Sequence, residues 1–417
     1  MTNKNNLIQP VKKENRIIYL DILRGIAIFF IFSANIVYFS GHFTFPEEGR
    51  LPSTLFIFDK TLDFILYSLV DGKFYSLFSL LFGIGCAIQH QNLTKHNKPF
   101  APFFKRRMFW LLIFGLIHLH IFWLGDILTL YALLGFVLIF FVDFTNRQLI
   151  TYASVLILLP ILNWFIINVI GWNYPMFFFK LNSQYYEYFN LPMIENNGIK
   201  RSNFGAFILN ENILDFLKMN IGNSFLRIGG ILNEGRIFKV LGIFLIGLWA
   251  GRKILNENLL ENSSFLKKVA IWGIFIGLPM SFFRGYIEFY AQRTEIWNLL
   301  HTITYAFGTV PLAMGYAALL AIFYKKIPLL NGFELVGKMA LSNYLFQTAL
   351  AITIFYGIGF SFAGKLGFTV IIGIAILIYS VQVLLSMWWL KSHSFGPMEW
   401  LWRQLTYNRL FRKKNDL

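Results

Sequence analysis

His118 and Asp126 stand eight residues apart in GLIHLHIFWLGDILTLYALLG (115–135), an apolar stretch that a lipid-facing helix would not load with imidazoles. Neutral imidazole can act as base or nucleophile and titrates near neutral pH. An ionisable group inside an apolar span is a functional candidate by default. Lys105, Arg106 and Arg107 mark the start of the span, and His118 lies eleven residues past Arg107. At 1.5 Å per residue this is about 16 Å, near the midplane of a ~30 Å apolar layer. The plainer alternative is an interhelical hydrogen bond that only fixes packing. His120 points about 200° around the helix from His118 and suits packing. Asp126, in the turn FWLGDIL, either N-caps the next helix or orients a histidine. Along one straight helix the two side chains cannot touch, so only chain reversal or substrate would link them. Tyr131, in the same stretch, is a candidate for substrate contact.

Other candidates are more scattered. Asp21 and Arg24 in LDILRGIAI are three residues apart and share a helix face. They form either an interfacial ion pair or a fork for phosphate or carboxylate, and Gly25 permits close backbone approach. Lys73 opens DGKFYSLFSLLFGIG, where Ser76, Ser79 and Gly83 form a small-residue stripe suited to helix packing. Lys73 and Arg107 are further cation candidates for an anionic cosubstrate, Arg107 equally a topology signal. Asn343 and Gln347 in GKMALSNYLFQT share a face. Bare amides are costly in lipid, so they serve either as packing glue or as substrate contacts. In GPMEWLWRQLTY (396–407), Pro397 can start a helix, Glu399 and Arg403 are spaced as an i,i+4 pair, and Trp400 and Trp402 suit an interfacial anchor. His42, in FSGHF, is a lesser candidate, as are Glu399 and Arg403.

The elements that must position these groups follow from composition. The chain has 417 residues, 56% hydrophobic and 14% charged, with 48 Phe. About 25% charge is usual in a soluble domain. The expected class is a polytopic all-α membrane bundle. A single cysteine, Cys86, excludes an intramolecular disulfide and any multi-cysteine metal site, and no metal site is expected. Walker A, G-x-G-x-x-G, H-E-x-x-H and G-x-S-x-G patterns are absent, so ATP coupling, dinucleotide redox chemistry and zinc hydrolysis lack their usual marks.

About ten spans are expected near 22–40, 74–90, 108–124, 127–142, 149–171, 237–251, 269–284, 297–323, 335–358 and 367–390. Segment 55–70 carries Asp59, Lys60 and Asp63 and is expected to lie on the membrane surface as an amphipathic helix. With the N-terminus inside, 24 of the 37 Lys and Arg fall on the inner side, against 13 outside, and the acids divide 8 and 13. The excess predicts cytoplasmic N- and C-termini. The basic clusters at 12–16 and 105–107 therefore report topology and lipid headgroups, not nucleic acid. No cleavable signal peptide is expected. The organisation predicted is a five-span half over 1–170, an extracytoplasmic linker over 171–235 with an amphipathic stretch at 204–228, and a second five-span half over 236–417 ending in an interfacial helix.

The sequence resembles the YeiB family of bacterial inner-membrane proteins, whose C-terminal half is a domain of unknown function, DUF418. The resemblance rests on LDILRGIAI, KFYSLFSLLFGIG, RR…GLIHLHIFWLGDILTLYALLG, GKMALSNYLFQT and GPMEWLWRQLTY, in that order over most of the chain. More distantly it is similar to membrane acyltransferases that carry an acyl group from cytosolic acyl-CoA to an extracytoplasmic acceptor. That resemblance implies acyl-CoA as a cosubstrate, no permanently bound cofactor, an envelope polysaccharide or glycolipid acceptor, and residence in the cytoplasmic membrane. It implies Arg24 near the CoA phosphates and His118 at the transfer centre, with His42 near the place a histidine takes in related sugar N-acetyltransferases. A small-solute transporter lined by His118, Asn343 and Gln347 and a non-catalytic envelope assembly factor are the competing expectations. The acyl group, the acceptor and the oligomeric state are not legible.

Overall fold

The computed structural model describes residues 17–51, 54–196, 199–292 and 294–407. The basic run at 12–16 lies outside the described residues. The chain is nearly all helical. Helix α1 (Ile18–Phe39) precedes α2 (Asp59–Leu69) and α3 (Lys73–Lys95). Then come α4 (Phe100–Ile117), α5 (Leu128–Leu138), α6 (Asn146–Asn168) and α7 (Met176–Tyr188). A two-stranded antiparallel hairpin follows, β1 (Met193–Asn196) against β2 (Ile199–Ser202), with Met193 opposite Ser202. Helices α8 (Phe204–Ile208), α9 (Ile213–Asn233), α10 (Arg236–Glu257), α11 (Ser263–Tyr290) and α12 (Glu295–Phe323) complete the middle of the chain. It ends in α13 (Asn331–Lys338), α14 (Ala340–Phe355), α15 (Phe368–Ser392) and α16 (Pro397–Thr406).

Among the described residues, six helical segments are long and apolar enough to cross a membrane: 18–39, 55–95, 146–168, 263–290, 295–326 and 368–392. Two shorter apolar helices, Leu128–Phe141 and Ala340–Phe355, accompany them. Such a set makes a multi-pass membrane protein. Helices α4 and α10 have the length but carry three or more charges within any spanning window.

Three expected segments differ in detail. The 108–124 stretch is not one straight helix. It leaves the α-helix at Ile117, makes a π turn over His118–Phe122, and breaks at Trp123. The 335–358 stretch is divided by Met339, which leaves helical geometry between α13 and α14. Segment 55–70 is helical from Asp59 only, after a 3₁₀ turn at Thr54–Phe58. Asp59 is buried and caps α15, accepting from Phe368 N at 2.7 Å and Thr369 N at 2.8 Å.

Close backbone contacts fix the helices that carry the candidate groups. A Cβ on Gly25 would stand 2.0 Å from the Phe333 carbonyl oxygen, and one on Gly337 would stand 1.9 Å from that of Asp21. Helices α1 and α13 thus touch backbone to backbone beside Arg24. Gly83 and Gly247 do the same for α3 and α10. Gly83 is ten residues into α3 and Gly247 eleven into α10. Arg236 beside Tyr75, Gly251 against Ala87 and Gln91 bonded to Asn256 keep the same order along both helices, so the two run parallel with their first turns side by side, joining the two halves of the chain.

Candidate functional site

A cavity of about 1100 Å³ opens between α1, α3, α4, α5, α13–α14 and α16. Its mouth lies where α1 begins and α15 ends, among Arg24, Arg107, Lys338, Lys391 and Arg403. Its depth is apolar and aromatic, walled by Phe78, Phe82, Leu111, Leu128, Tyr131 and Tyr344. A pocket that is cationic at the mouth and greasy at the floor suits an anionic amphiphile.

Each mouth residue is held by its own element. Arg24 Nη1 meets Asp21 Oδ1 at 2.8 Å, the i,i+3 pair expected from the spacing. Lys338 pairs with Glu334 one turn back. Arg107 lies over the Trp402 ring, 3.7 Å from its centroid. Among the described residues no carboxylate is ion-paired to Arg107, so its charge remains available to a ligand. Pro397 opens α16 as expected. Glu399 turns its carboxylate to the start of α14, accepting from Leu341 N at 2.5 Å, Ser342 N at 3.1 Å and Ser342 Oγ at 2.6 Å. Burial pushes its carboxyl above the usual range, against the pull of those donors. Arg403 stacks on Phe395. Tyr131, on the wall, hydrogen-bonds Ser79 Oγ at 2.6 Å and donates to Tyr75 O at 2.9 Å.

His118 and Asp126 sit just beyond this wall. The π turn and the reversal at Trp123–Asp126 fold the chain back, so Asp126 Oδ1 meets His118 Nδ1 at 3.0 Å. The carboxylate also accepts from Leu128 N at 3.1 Å and Thr129 N at 2.7 Å, opening α5. Both sequence readings of Asp126, cap and histidine partner, are thus realised at once. Because Asp126 only accepts, Nδ1 carries the proton in neutral His118, and Nε2 accepts from Thr348 Oγ1 at 3.0 Å. From α9, Arg227 donates to Asp126 O at 3.2 Å and Asn220 to Leu119 O at 3.1 Å. His118 is only 1% exposed and does not line the cavity. Tyr344 does, with its ring centroid 5.0 Å from that of His118.

The other candidates lie elsewhere. Asn343 donates to Val336 O and Ser386 Oγ, and Gln347 to Gln382 Oε1 at 2.8 Å, so both tie α14 to its neighbours outside the cavity wall. Lys73 is buried at the far end of α3 from the mouth. His42 contacts Asp63 at 3.5 Å and packs against Phe368. Sequence reasoning missed Tyr344 and Thr348, which sit one position after Asn343 and Gln347 on the same helical period. It also missed Trp402 as a cavity wall, since a belt tryptophan gives the same signal.

The chain is 30% identical over 411 residues to a protein described as uncharacterized protein YxaH of Bacillus subtilis, covering 96% of each chain. It is 27% identical over 416 residues to uncharacterized protein YeiB of Escherichia coli, covering 94% of this chain and 96% of that one. The chain belongs to the YeiB family. A family model described as a protein of unknown function, DUF418, matches residues 250–409. No solved structure matches the chain. Within this YeiB-family chain, the DUF418 region supplies Tyr344, Thr348, Glu399 and Trp402, whereas Arg24, Arg107, His118 and Asp126 precede it. The cavity and the His118–Thr348 hydrogen bond therefore need both parts of the chain, whereas the His118–Asp126 pair lies wholly before the DUF418 region.

Proposed function

We propose that this chain is a membrane acyltransferase that draws acyl-CoA into the cavity from the cytoplasmic side. In this reading the bundle crosses the bacterial cytoplasmic membrane ten times, with both termini inside, and the acceptor is an extracytoplasmic sugar or envelope polymer. The observation that carries it is that one cavity brings Arg24, Arg107 and Arg403 to its mouth and Phe78, Phe82 and Tyr131 to its depth. The cations would hold the CoA phosphates, and the floor would take the acyl chain.

Transfer would proceed with the acceptor oxygen attacking the thioester carbonyl carbon as the C–S bond breaks. His118 Nε2 would take the acceptor's proton and return it to the departing thiolate, with Asp126 holding the imidazole tautomer. This requires Tyr344 to swing from between His118 and the cavity, and Thr348 to release Nε2. The transporter reading has less support, because Asn343 and Gln347 are committed to neighbouring helices.

Gly85 provides the test. It lines the cavity, and a Cβ built there meets nothing within 4 Å. Gly85→Phe should fill the cavity while the protein still folds. Thermal unfolding in detergent with CoA and with short and long acyl-CoAs should show stabilisation by mass action, greatest for long chains and lost in Gly85→Phe. No stabilisation of the wild type by any CoA species would refute the donor site.

A further inference from the structure

At the end of the bundle away from the cavity mouth, four cations gather with few acids. Lys73 and Lys239 are wholly buried, and Arg284 is 6% exposed. Three tyrosine rings bind the group together. Lys239 Nζ lies 3.1 Å over the Tyr305 ring and 5.9 Å from that of Tyr75. Arg236 lies 5.4 Å from the Tyr75 ring, and Arg284 4.7 Å from Tyr67 and 5.1 Å from Tyr305. Lys239 donates to Tyr305 O at 2.8 Å and to Thr309 Oγ1. Lys73 Nζ donates to the Tyr67 carbonyl at 3.5 Å.

Glu288 contacts His301, which accepts from Arg284 Nε; among the described residues two acids are ion-paired to the cations themselves, Asp71 to Arg284 at 2.8 Å and Glu234 to Arg236 at 2.5 Å. Both are at the rim, their side chains 38% and 44% exposed. The two lysines beneath have neutral partners. Holding these lysines charged at such depth is costly, and a bound anion would offset that cost.

Helix geometry adds to the same field. Lys73 is the first residue of α3 and Arg236 the first of α10. Gly72 and Gly235 precede them in the left-handed region, and neither terminus has a side-chain cap. Since α3 and α10 are parallel neighbours, two positive helix ends converge here. Tyr75 links this group to the donor cavity through its side chain on one side and its backbone on the other. Tyr75 OH pairs with Tyr305 OH, and the Tyr75 carbonyl accepts from Tyr131, on the cavity wall.

We propose that Lys73, Lys239, Arg236 and Arg284 form an anion-binding site that takes the phosphate or carboxylate of the acyl acceptor. The word acceptor rests on the acyltransferase reading; the anion site does not. A phosphorylated or acidic sugar polymer and an anionic lipid headgroup share this chemistry.

The test uses the full chain in detergent. Unfolding temperature is followed against inorganic phosphate, with chloride at matched ionic strength as the control for screening, and in nanodiscs of phosphatidylcholine with or without phosphatidylglycerol. The expected result is saturable stabilisation by phosphate over chloride, with the apparent phosphate Kd raised at least about tenfold in Lys73→Met and Lys239→Met. Stabilisation by phosphatidylglycerol that is lost in the same variants would support the site and assign a lipid source. Arg236→Gln, at a partly exposed position, serves if the buried variants fail to fold, and should also weaken the response. No response to either probe in the wild type, or a response unchanged in the variants that fold, overturns the proposal. Acyl-CoA stabilisation is measured on the same preparations. Its absence with phosphate binding intact would refute the donor reading alone, and the reverse pattern would refute only the anion site.

Discussion

Arg107 and Trp402 hold each other across the cavity mouth. The guanidinium lies 3.7 Å over the indole, and the indole Nε1–H donates back to the Arg107 carbonyl at 2.9 Å. The contact ties α16, near the end of the described chain, to the turn of α4 that carries the arginine. Cation–π pairs contribute about 0.5–2 kcal/mol. Trp402→Leu should therefore weaken long-chain acyl-CoA binding by roughly threefold to thirtyfold, by releasing Arg107 and loosening that wall. Titration followed by thermal shift would check this; unchanged affinity would mean that α16 does not shape the site.

The glycines that line and flank the cavity should respond oppositely to the same substitution. Gly25→Ala puts a methyl 2.0 Å from the Phe333 carbonyl oxygen, so α1 and α13 must part. Overpacking of this kind costs about 1–3 kcal/mol. Gly85→Ala meets open space within α3 and should stabilise by about 0.5–1 kcal/mol through helix propensity. Paired melting curves decide it, and a stable Gly25→Ala would show that this helix contact is looser than its geometry.

Much of the bundle was legible because long apolar runs have little alternative to helix. The expected spans all overlap helices, and the Asp21–Arg24 and Pro397 readings rest on local spacing that the fold keeps. The π turn at His118–Phe122 left no trace, because HLHIF continues the apolar pattern of α4 while changing its hydrogen bonding. Hence His118 looked like a mid-span group, although it closes a turn against Asp126. The cavity was not legible either. Arg24, Arg107 and Arg403 come from three separate parts of the chain and are brought together only by tertiary contacts. Lys73 looked like a single basic residue beside a packing stripe, since its contact Tyr67 is local while Lys239 and Arg284, the cations gathered around Tyr305, come from distant helices.

Glu399 gives a pH signature outside the membrane-spanning helices. Burial raises its carboxyl above the unfolded value, so the folded state holds the proton more tightly. That contribution to stability is fully present below the unfolded value, and is lost as pH rises through the raised folded one. Glu399→Gln mimics the protonated form and lacks this titration. The difference in unfolding temperature between wild type and Glu399→Gln should thus move against the wild type as pH rises from about 4, the unfolded carboxyl value, through the raised folded one. Glu399→Ala, which removes the acceptor for Leu341 N and Ser342 N, should lose about 0.5–2 kcal/mol as a lost helix cap. A flat difference curve for the Gln variant would show that Glu399 does not titrate differently on folding.

His118 can be separated from its packing role by its two partners. Removing the ring strips a bond from Asp126 and one from Thr348, both buried. His118→Ala should therefore destabilise by about 1–3 kcal/mol, whatever its chemistry. If His118 is also the base, the variant keeps acyl-CoA binding while transfer falls about 10²–10⁴-fold. Asp126→Asn retains an oxygen able to cap α5 but no carboxylate for Nδ1–H, and should lose turnover more than stability. Thr348→Val removes the hydroxyl that occupies Nε2 and should leave transfer intact or raise it. Turnover measured with acyl-CoA and isolated envelope material as acceptor separates the cases. Full turnover in His118→Ala beside a lowered unfolding temperature would make the Asp126–His118–Thr348 chain a packing device.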